Sequence, residues 1–449
     1  MRHLKFALAI MAGAILAACG GNSGSPEPGA QVNKVKFASQ VSFGDSLSDL
    51  GTYNVGAVKA LGGGKYTING DNTAIDPALT GKNWTELMAA QFGLPAPCPA
   101  QTGLEGNASL GFSVPVTDHP GCFSYAQGGS RVTNPVGAGH KLTGSALGAL
   151  TVPFVTQIRN HLARTGGKFK GDEVVFVMTG GNDVLVNLSQ LSAAATAAGQ
   201  QAFGTSLATQ LAAGTTSPAT AVRLIGLAIA TESARAGSTQ ATIVGAAVTA
   251  AVQAGNTTAA ANAEAVAKVA ATAGTQAGTD YVTAQAPAMI AALATAGTEA
   301  AAAVKSQILG NGANYVVVNN LPDVASTPGG RARDANVRAL IDKMVGAFNA
   351  QLASALASES KVVIVDVYAV SHDQATNPGP YGLTNVTEPA CDLSPAKNPL
   401  TSSLGCTAAN LKAGDVSHYS YADEVHPTPF NNLLLARFVS RSLVTKGWL

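Results

Sequence analysis

The sequence predicts an α/β fold in which a parallel sheet is covered by helices on both faces. Three observations carry this. The run Glu173–Met178 (Glu-Val-Val-Phe-Val-Met) is nearly continuous in apolar residues, as a strand buried on both faces is. Comparable short runs alternate with segments of helical periodicity, the pattern of strands joined by crossover helices. With 449 residues, 46% of them hydrophobic, the chain has ample apolar surface for one large core or two ordinary ones.

The first element precedes the domain. Arg2 and Lys5 open a short positive region, and Phe6 to Ala18 is apolar. That stretch is too short to span a bilayer as a permanent helix and reads as a signal peptide. Its ending, Leu16-Ala17-Ala18-Cys19, resembles the bacterial lipoprotein box, in which the cysteine is acylated and becomes the mature N-terminus. The competing reading is an ordinary secretory signal. Residues 1–19 are therefore expected to be a lipoprotein signal, and 20–35, rich in Gly, Ser and Pro, a flexible tether. Acyl chains on Cys19 would hold the protein on a membrane surface, outer membrane or cell surface, without a transmembrane helix.

Charge and cysteines fit that compartment. Only 12% of residues are charged and the net charge is +1, which provides no basic groove for nucleic acid. Apart from Cys19 there are four cysteines, Cys98, Cys122, Cys391 and Cys406, an even number that suggests disulfides with three possible pairings. The local pairs Cys98–Cys122 and Cys391–Cys406 are preferred because each closes a loop rich in Gly and Pro. No CxxC pair or histidine cluster suggests a metal site, and no cofactor is expected.

From 36 to 449 the chain reads as one α/β domain. Gln40–Phe43 is a brief strand candidate and Glu173–Met178 a stronger one. The segment 189–304 then changes texture: Ala, Thr, Gly and Gln dominate, and aromatic residues almost vanish. Ala favours helix, while the interspersed Gly and Thr weaken it, so a helical insertion or cap competes with a low-complexity spacer. Its apolar stretches Leu224–Ala230 and Ile243–Val252 suit either a lid or packing against the main domain. Beyond it, Tyr315–Val318 and Lys361–Val367 are strand candidates. Between them Leu340, Ile341, Met344, Val345, Phe348 and Leu352 recur at helical spacing, and Phe430–Val444 reads as a closing helix.

The sharpest local signal is Phe43-Gly44-Asp45-Ser46-Leu47-Ser48-Asp49, directly after the first strand. A serine in a strand-to-helix turn is exposed at the carboxyl edge of a parallel sheet, where such folds place ligands, and a following helix N-terminus would favour a developing oxyanion. A capped polar turn gives the same sequence without chemistry. A serine hydroxyl also needs a positioned base. His426 qualifies because Asp423-Glu424-Val425-His426 sets a carboxylate three residues before it, able to fix the imidazole tautomer. His119, His140, His161, His372 and His418 lack such context. Oxyanion donors are offered by Gln127-Gly128-Gly129-Ser130 and by Gly180-Gly181-Asn182-Asp183, the latter at the same sheet edge as Ser46. Alone, each of these is as readily a turn.

Together and in this order, Gly44-Asp45-Ser46-Leu47, Gly128-Gly129, Gly180-Gly181-Asn182-Asp183 and Asp423-Glu424-Val425-His426 resemble the four blocks of the GDSL, or SGNH, hydrolases. Asn319-Asn320-Leu321-Pro322-Asp323 resembles a segment many members carry between them. The resemblance covers about 36–188 and 305–449. It implies a three-layer α/β/α sandwich with a flavodoxin-like parallel sheet, and a serine esterase or lipase with no cofactor. It further implies Ser46 as nucleophile, His426 as base and Asp423 as its orienter. The Ser46 and Gly129 N–H groups and the Asn182 side chain would form the oxyanion hole, with Gly128 as the alternative in the double glycine. Thr52 stands where many members have Asn, which bears on subfamily. The implied partner is an ester or acyl-lipid substrate. Rival readings are an acyltransferase using the same residues, and a non-catalytic surface-binding lipoprotein.

Overall fold

The computed structural model describes residues 34–70 and 79–449. The expected signal peptide, Cys19 and all but the last two residues of the tether lie outside these. In chain order the elements begin with β1 (Gln40–Gly44), α1 (Gly56–Ala60), α2 (Trp84–Gln91), β2 (Gln101–Glu105), β3 (Ser113–Asp118), α3 (Phe154–Arg164) and β4 (Val174–Met178). Four helices follow: α4 (Gly181–Ala212), α5 (Pro218–Ser233), α6 (Gln240–Gln253) and α7 (Ala259–Ala303). The chain closes with β5 (Tyr315–Asn319), α8 (Pro328–Arg331), α9 (Ala335–Leu356), β6 (Val362–Val365), α10 (Val367–Thr376), β7 (Asn385–Pro389), β8 (Tyr419–Tyr421) and α11 (Pro429–Lys446).

The central sheet is four-stranded and parallel throughout, in the order β1-β4-β5-β6. Outside β1, Ser42 forms an isolated parallel bridge with Ser124, supported by the backbone bonds Ser42 to Phe123 and Tyr125 to Ser42. Alternation along β4 explains why its sequence is apolar without a break. Val175 and Val177 face one core, with Phe154 and Ile158 of α3 and Leu340, Met344 and Phe348 of α9. Val174, Phe176 and Met178 face the other, with Trp84 and Met88 of α2 and Ala436, Val439 and Leu443 of α11. Helices thus cover both faces, as the periodicity predicted. Two small two-stranded sheets, β2-β3 and β7-β8, have no counterpart in the sequence reading. Their strands are three to six residues long and carry too few apolar residues for a periodicity to mark them.

The Ala-rich segment is helical. Its limits differ from 189–304, because α4 starts at Gly181, directly after β4, and runs on without interruption. The parts of α4 and α7 nearest the sheet, including Val184, Leu191, Leu293 and Ala300, belong to the main core. The outer parts form a separate core with Ala221 and Ile225 of α5 and Ala247 and Ala251 of α6. Of the apolar stretches considered for a lid, Ile225, Ile229, Val244, Val248 and Ala251 pack within the insertion, whereas Leu224, Leu227 and Val252 stay exposed. The glycines that weaken helix propensity let α4 and α7 touch: a Cβ on Gly199 would lie 2.9 Å from the Gly274 carbonyl oxygen. Thr272, Thr275, Thr279 and Thr283 return their hydroxyls to carbonyls four residues earlier, so their polarity is satisfied within α7. Among the described residues α7 is the one helix long and apolar enough to cross a membrane, and its inner end is a core element.

Both disulfides take the local pairing. Cys98–Cys122 spans a sequence separation of 24 and Cys391–Cys406 one of 15.

Candidate active site

The site lies at the carboxyl edge of the sheet, where β1 and β4 end side by side. After Gly44 the chain turns at once: Asp45 donates its N–H to the Met178 carbonyl and accepts the Leu47 N–H at 3.1 Å on its carboxylate. Ser46 sits on this turn and is 7% exposed. The helix expected to follow it does not form. The first helix begins only at Gly56 and has five residues, so the helix N-terminus expected directly after Ser46 is not formed by this segment. The cause is Asp49, whose buried carboxylate accepts the N–H groups of Gly51, Thr52 and Gly128 at 2.8–2.9 Å. It captures donors that a helix would direct to its own carbonyls. Thr52, the departure from the family pattern, donates its hydroxyl to the Ala126 carbonyl at 3.3 Å and so ties this turn to the Gly-Gly loop.

His426 reaches Ser46 from the far end of the chain. Its Nε2 lies 2.8 Å from Ser46 Oγ, and its Nδ1 lies 2.8 and 2.9 Å from the two oxygens of Asp423. Asp423 is buried and held by three backbone donors, the N–H groups of Ser403 (2.7 Å), Val425 (3.0 Å) and His426 (2.8 Å), with the Ser402 hydroxyl at 3.5 Å. Burial alone would raise its pKa. The facing His426 charge and these hydrogen bonds overcome that and hold the carboxyl well below the usual range. Asp45 goes the other way: burial pushes it up to about 7 against the opposing Leu47 N–H and His426.

The groups expected from the sequence as oxyanion donors come from three segments. Among the described residues neither the Ser46 nor the Gly129 N–H has a protein acceptor. The Gly128 N–H is already given to Asp49, which decides the register of the double glycine in favour of Gly129. Asn182 is buried and donates one of its two amide hydrogens to the Ser130 carbonyl at 3.0 Å, leaving the second for a ligand. Arg131 and Asp183 lock the two loops together at 2.8 Å, and the Val132 N–H reaches the same carboxylate. Gln157 braces the end of β1 from α3, accepting the Gly44 N–H and donating to the Gly44 carbonyl.

Ser46, His426 and Asp423 are thus joined by direct hydrogen bonds, and Gly129 and Asn182 lie on segments tied to the end of β1, while Ser403, Asp49, Arg131 and Gln157 were missed because nothing local marks them. Two other histidines, His161 and His372, have different surroundings. His161 is buried among Phe43, Phe123 and Phe169, and burial, with Arg164 and Lys170 nearby, lowers it to about 4. His372 pairs with Asp323 at 2.8 Å, but Ser326 donates its hydroxyl to that same carboxylate and not to the imidazole, so no second triad forms. No group of three or more His, Cys, Asp or Glu able to hold a metal occurs among the described residues.

A cavity of about 60 Å³ opens beside Leu47 and Val425, the neighbours of the serine and the histidine. Met178, Val367, Val370 and Leu435 give it a mostly apolar lining. The chain matches no family profile, and no curated protein is similar to it in sequence.

Proposed function

We propose that this protein is a serine carboxylic-ester hydrolase of the GDSL/SGNH type, lipid-anchored through Cys19 at a membrane surface. The observation that carries the reading is the unbroken hydrogen-bonded chain Ser46–His426–Asp423, faced by oxyanion donors that no protein group occupies. The sheet supports it. Counting the Ser124 bridge as a second, vestigial strand, the spatial order becomes 2-1-3-4-5, that of flavodoxin-like sheets. Its switch point falls between β1 and β4, the strands that deliver Ser46 and Asn182. The two disulfides suit an oxidising compartment.

In this reading Ser46 Oγ attacks the ester carbonyl while its proton passes to His426 Nε2. Asp423 keeps the Nδ1 proton in place and stabilises the imidazolium. The carbonyl oxygen takes up negative charge against the Ser46 and Gly129 N–H groups and the Asn182 amide. Collapse breaks the bond to the alcohol, which leaves with the proton from Nε2. A water then gives its proton to His426 and attacks the acyl-serine, releasing the acid and restoring Ser46. The test is turnover of nitrophenyl esters of increasing chain length by wild type and Ser46→Ala. Short-chain turnover that falls at least about a thousandfold in the variant supports the proposal; undiminished turnover in Ser46→Ala overturns it.

A further inference from the structure

Tyr66 belongs to none of the segments that mark the site in sequence, yet it touches two of its working parts. Its ring lies against the imidazole of His426, with centroids 4.7 Å apart and planes at 38°. Its other edge lies on Gly128 so closely that a Cβ there would stand 2.2 Å from Cε2 and 2.4 Å from the hydroxyl oxygen. The next peptide nitrogen is that of Gly129, one of the unengaged oxyanion donors. Standard backbone geometry then puts the Tyr66 hydroxyl within about 6 Å of it. Two donors at that separation can meet on a single oxygen lying between them at ordinary hydrogen-bond length.

The hydroxyl is available for this. Among the described residues it has no hydrogen-bond partner, and Tyr66 is only half-buried. It also stays protonated, because burial, together with the neighbouring Tyr53, Asp49 and Asp423, drives its pKa further up. The loop that carries it is tied to the catalytic loops. Thr67 donates its hydroxyl to the Pro427 carbonyl at 2.8 Å, beside the base. Asn69 Nδ2 is set among the carbonyls of Lys65, Thr67, Ser403 and Cys406. Tyr53 packs edge-on against the ring at 6.3 Å and donates its own hydroxyl to the Gly128 carbonyl at 2.7 Å.

We propose that Tyr66 is a further catalytic residue, its phenol O–H a fourth donor to the oxyanion and its ring a brace that keeps the His426 imidazole turned toward Ser46. This rests on the esterase reading. The phenol proton is shared in a hydrogen bond and not transferred, so the course of the hydrolysis is otherwise unchanged.

The test compares wild type, Tyr66→Phe, Tyr66→Leu and Ser46→Ala on nitrophenyl acetate and butyrate, with thermal unfolding of each. Tyr66→Phe deletes one unpartnered hydroxyl and keeps the brace. Its kcat is expected to fall about 10- to 100-fold with KM within about threefold, at unchanged melting temperature. The rate of Ser46 labelling by a fluorophosphonate, which needs no ester substrate, falls in parallel. Tyr66→Leu, which lacks the brace as well, falls about tenfold further. Tyr66→Phe turnover within twofold of wild type, or a change in KM alone, overturns the donor role while leaving the esterase reading intact. Persisting turnover in Ser46→Ala overturns both.

Discussion

Replacing Asp45 by Asn should stabilise the protein increasingly as pH rises from about 4 to about 7. Asp45 is 2% exposed, and burial pushes its carboxyl from 3.8 up to about 7, with Leu47 N–H and His426 opposing and Asp183 adding to the rise. A folded-state pKa above the unfolded one means that the neutral acid is the form the fold prefers. Its contribution is fully present below pH 4 and is lost as pH climbs toward 7, because ionisation is easier in the unfolded chain. A shift of about three units corresponds to about 4 kcal/mol. Asparagine is neutral at every pH and retains an oxygen to accept the Leu47 N–H, so it lacks this loss. The stability difference between variant and wild type should grow from near zero at pH 4 to as much as about 4 kcal/mol at pH 8. Urea unfolding followed by circular dichroism at pH 4, 6 and 8 measures it, with equal m-values as the check on a common unfolded state. Titrations elsewhere are common to both proteins and largely cancel in the difference. A difference that does not change with pH would refute the reasoning.

Three further outcomes follow from the same geometry. Asp423→Asn leaves the imidazole with the wrong tautomer and sets an amide against the Ser403 or Val425 N–H, so kcat on nitrophenyl butyrate should fall about ten-thousandfold. Removing Cys391–Cys406 by double serine substitution should cost about 3 kcal/mol in urea unfolding, for a loop of this length. It should also lower kcat, because that loop carries the Ser403 donor to Asp423, whereas loss of Cys98–Cys122 should affect stability alone. Arg131→Ala strands the buried Asp183 between the two oxyanion loops. We expect a loss of about 3 kcal/mol and a fall in kcat larger than any change in KM.

The extent to which the site was legible in the sequence varies residue by residue. Ser46, Asn182, Asp423 and His426 were found because each sits in a short motif, and a motif is a local property of the chain. Ser403 was invisible, since a backbone N–H carries no side-chain signature and acts here on a carboxylate 20 residues away. Tyr66 was passed over for a related reason: an aromatic residue in a Gly-rich loop has no periodicity, and its meaning comes from the ring it meets. The helix expected after Ser46 failed because local propensity cannot register that Asp49 binds Gly128, 79 residues on.

By itself the sequence determined the apolar runs of the central strands, their alternation with helices, and the order of the chemical groups along the chain. These follow from side-chain periodicity and composition, which act over a few residues. Tertiary structure alone decided that Ser46 and His426, 380 residues apart, share a hydrogen bond, and that Gly129 and not Gly128 keeps a free N–H. It also decided that the inner ends of the Ala-rich helices join the main core while their outer parts build a core of their own. The physical reason is the same in each case: hydrogen bonds and close packing are short-ranged in space, and only the folded chain makes distant residues neighbours.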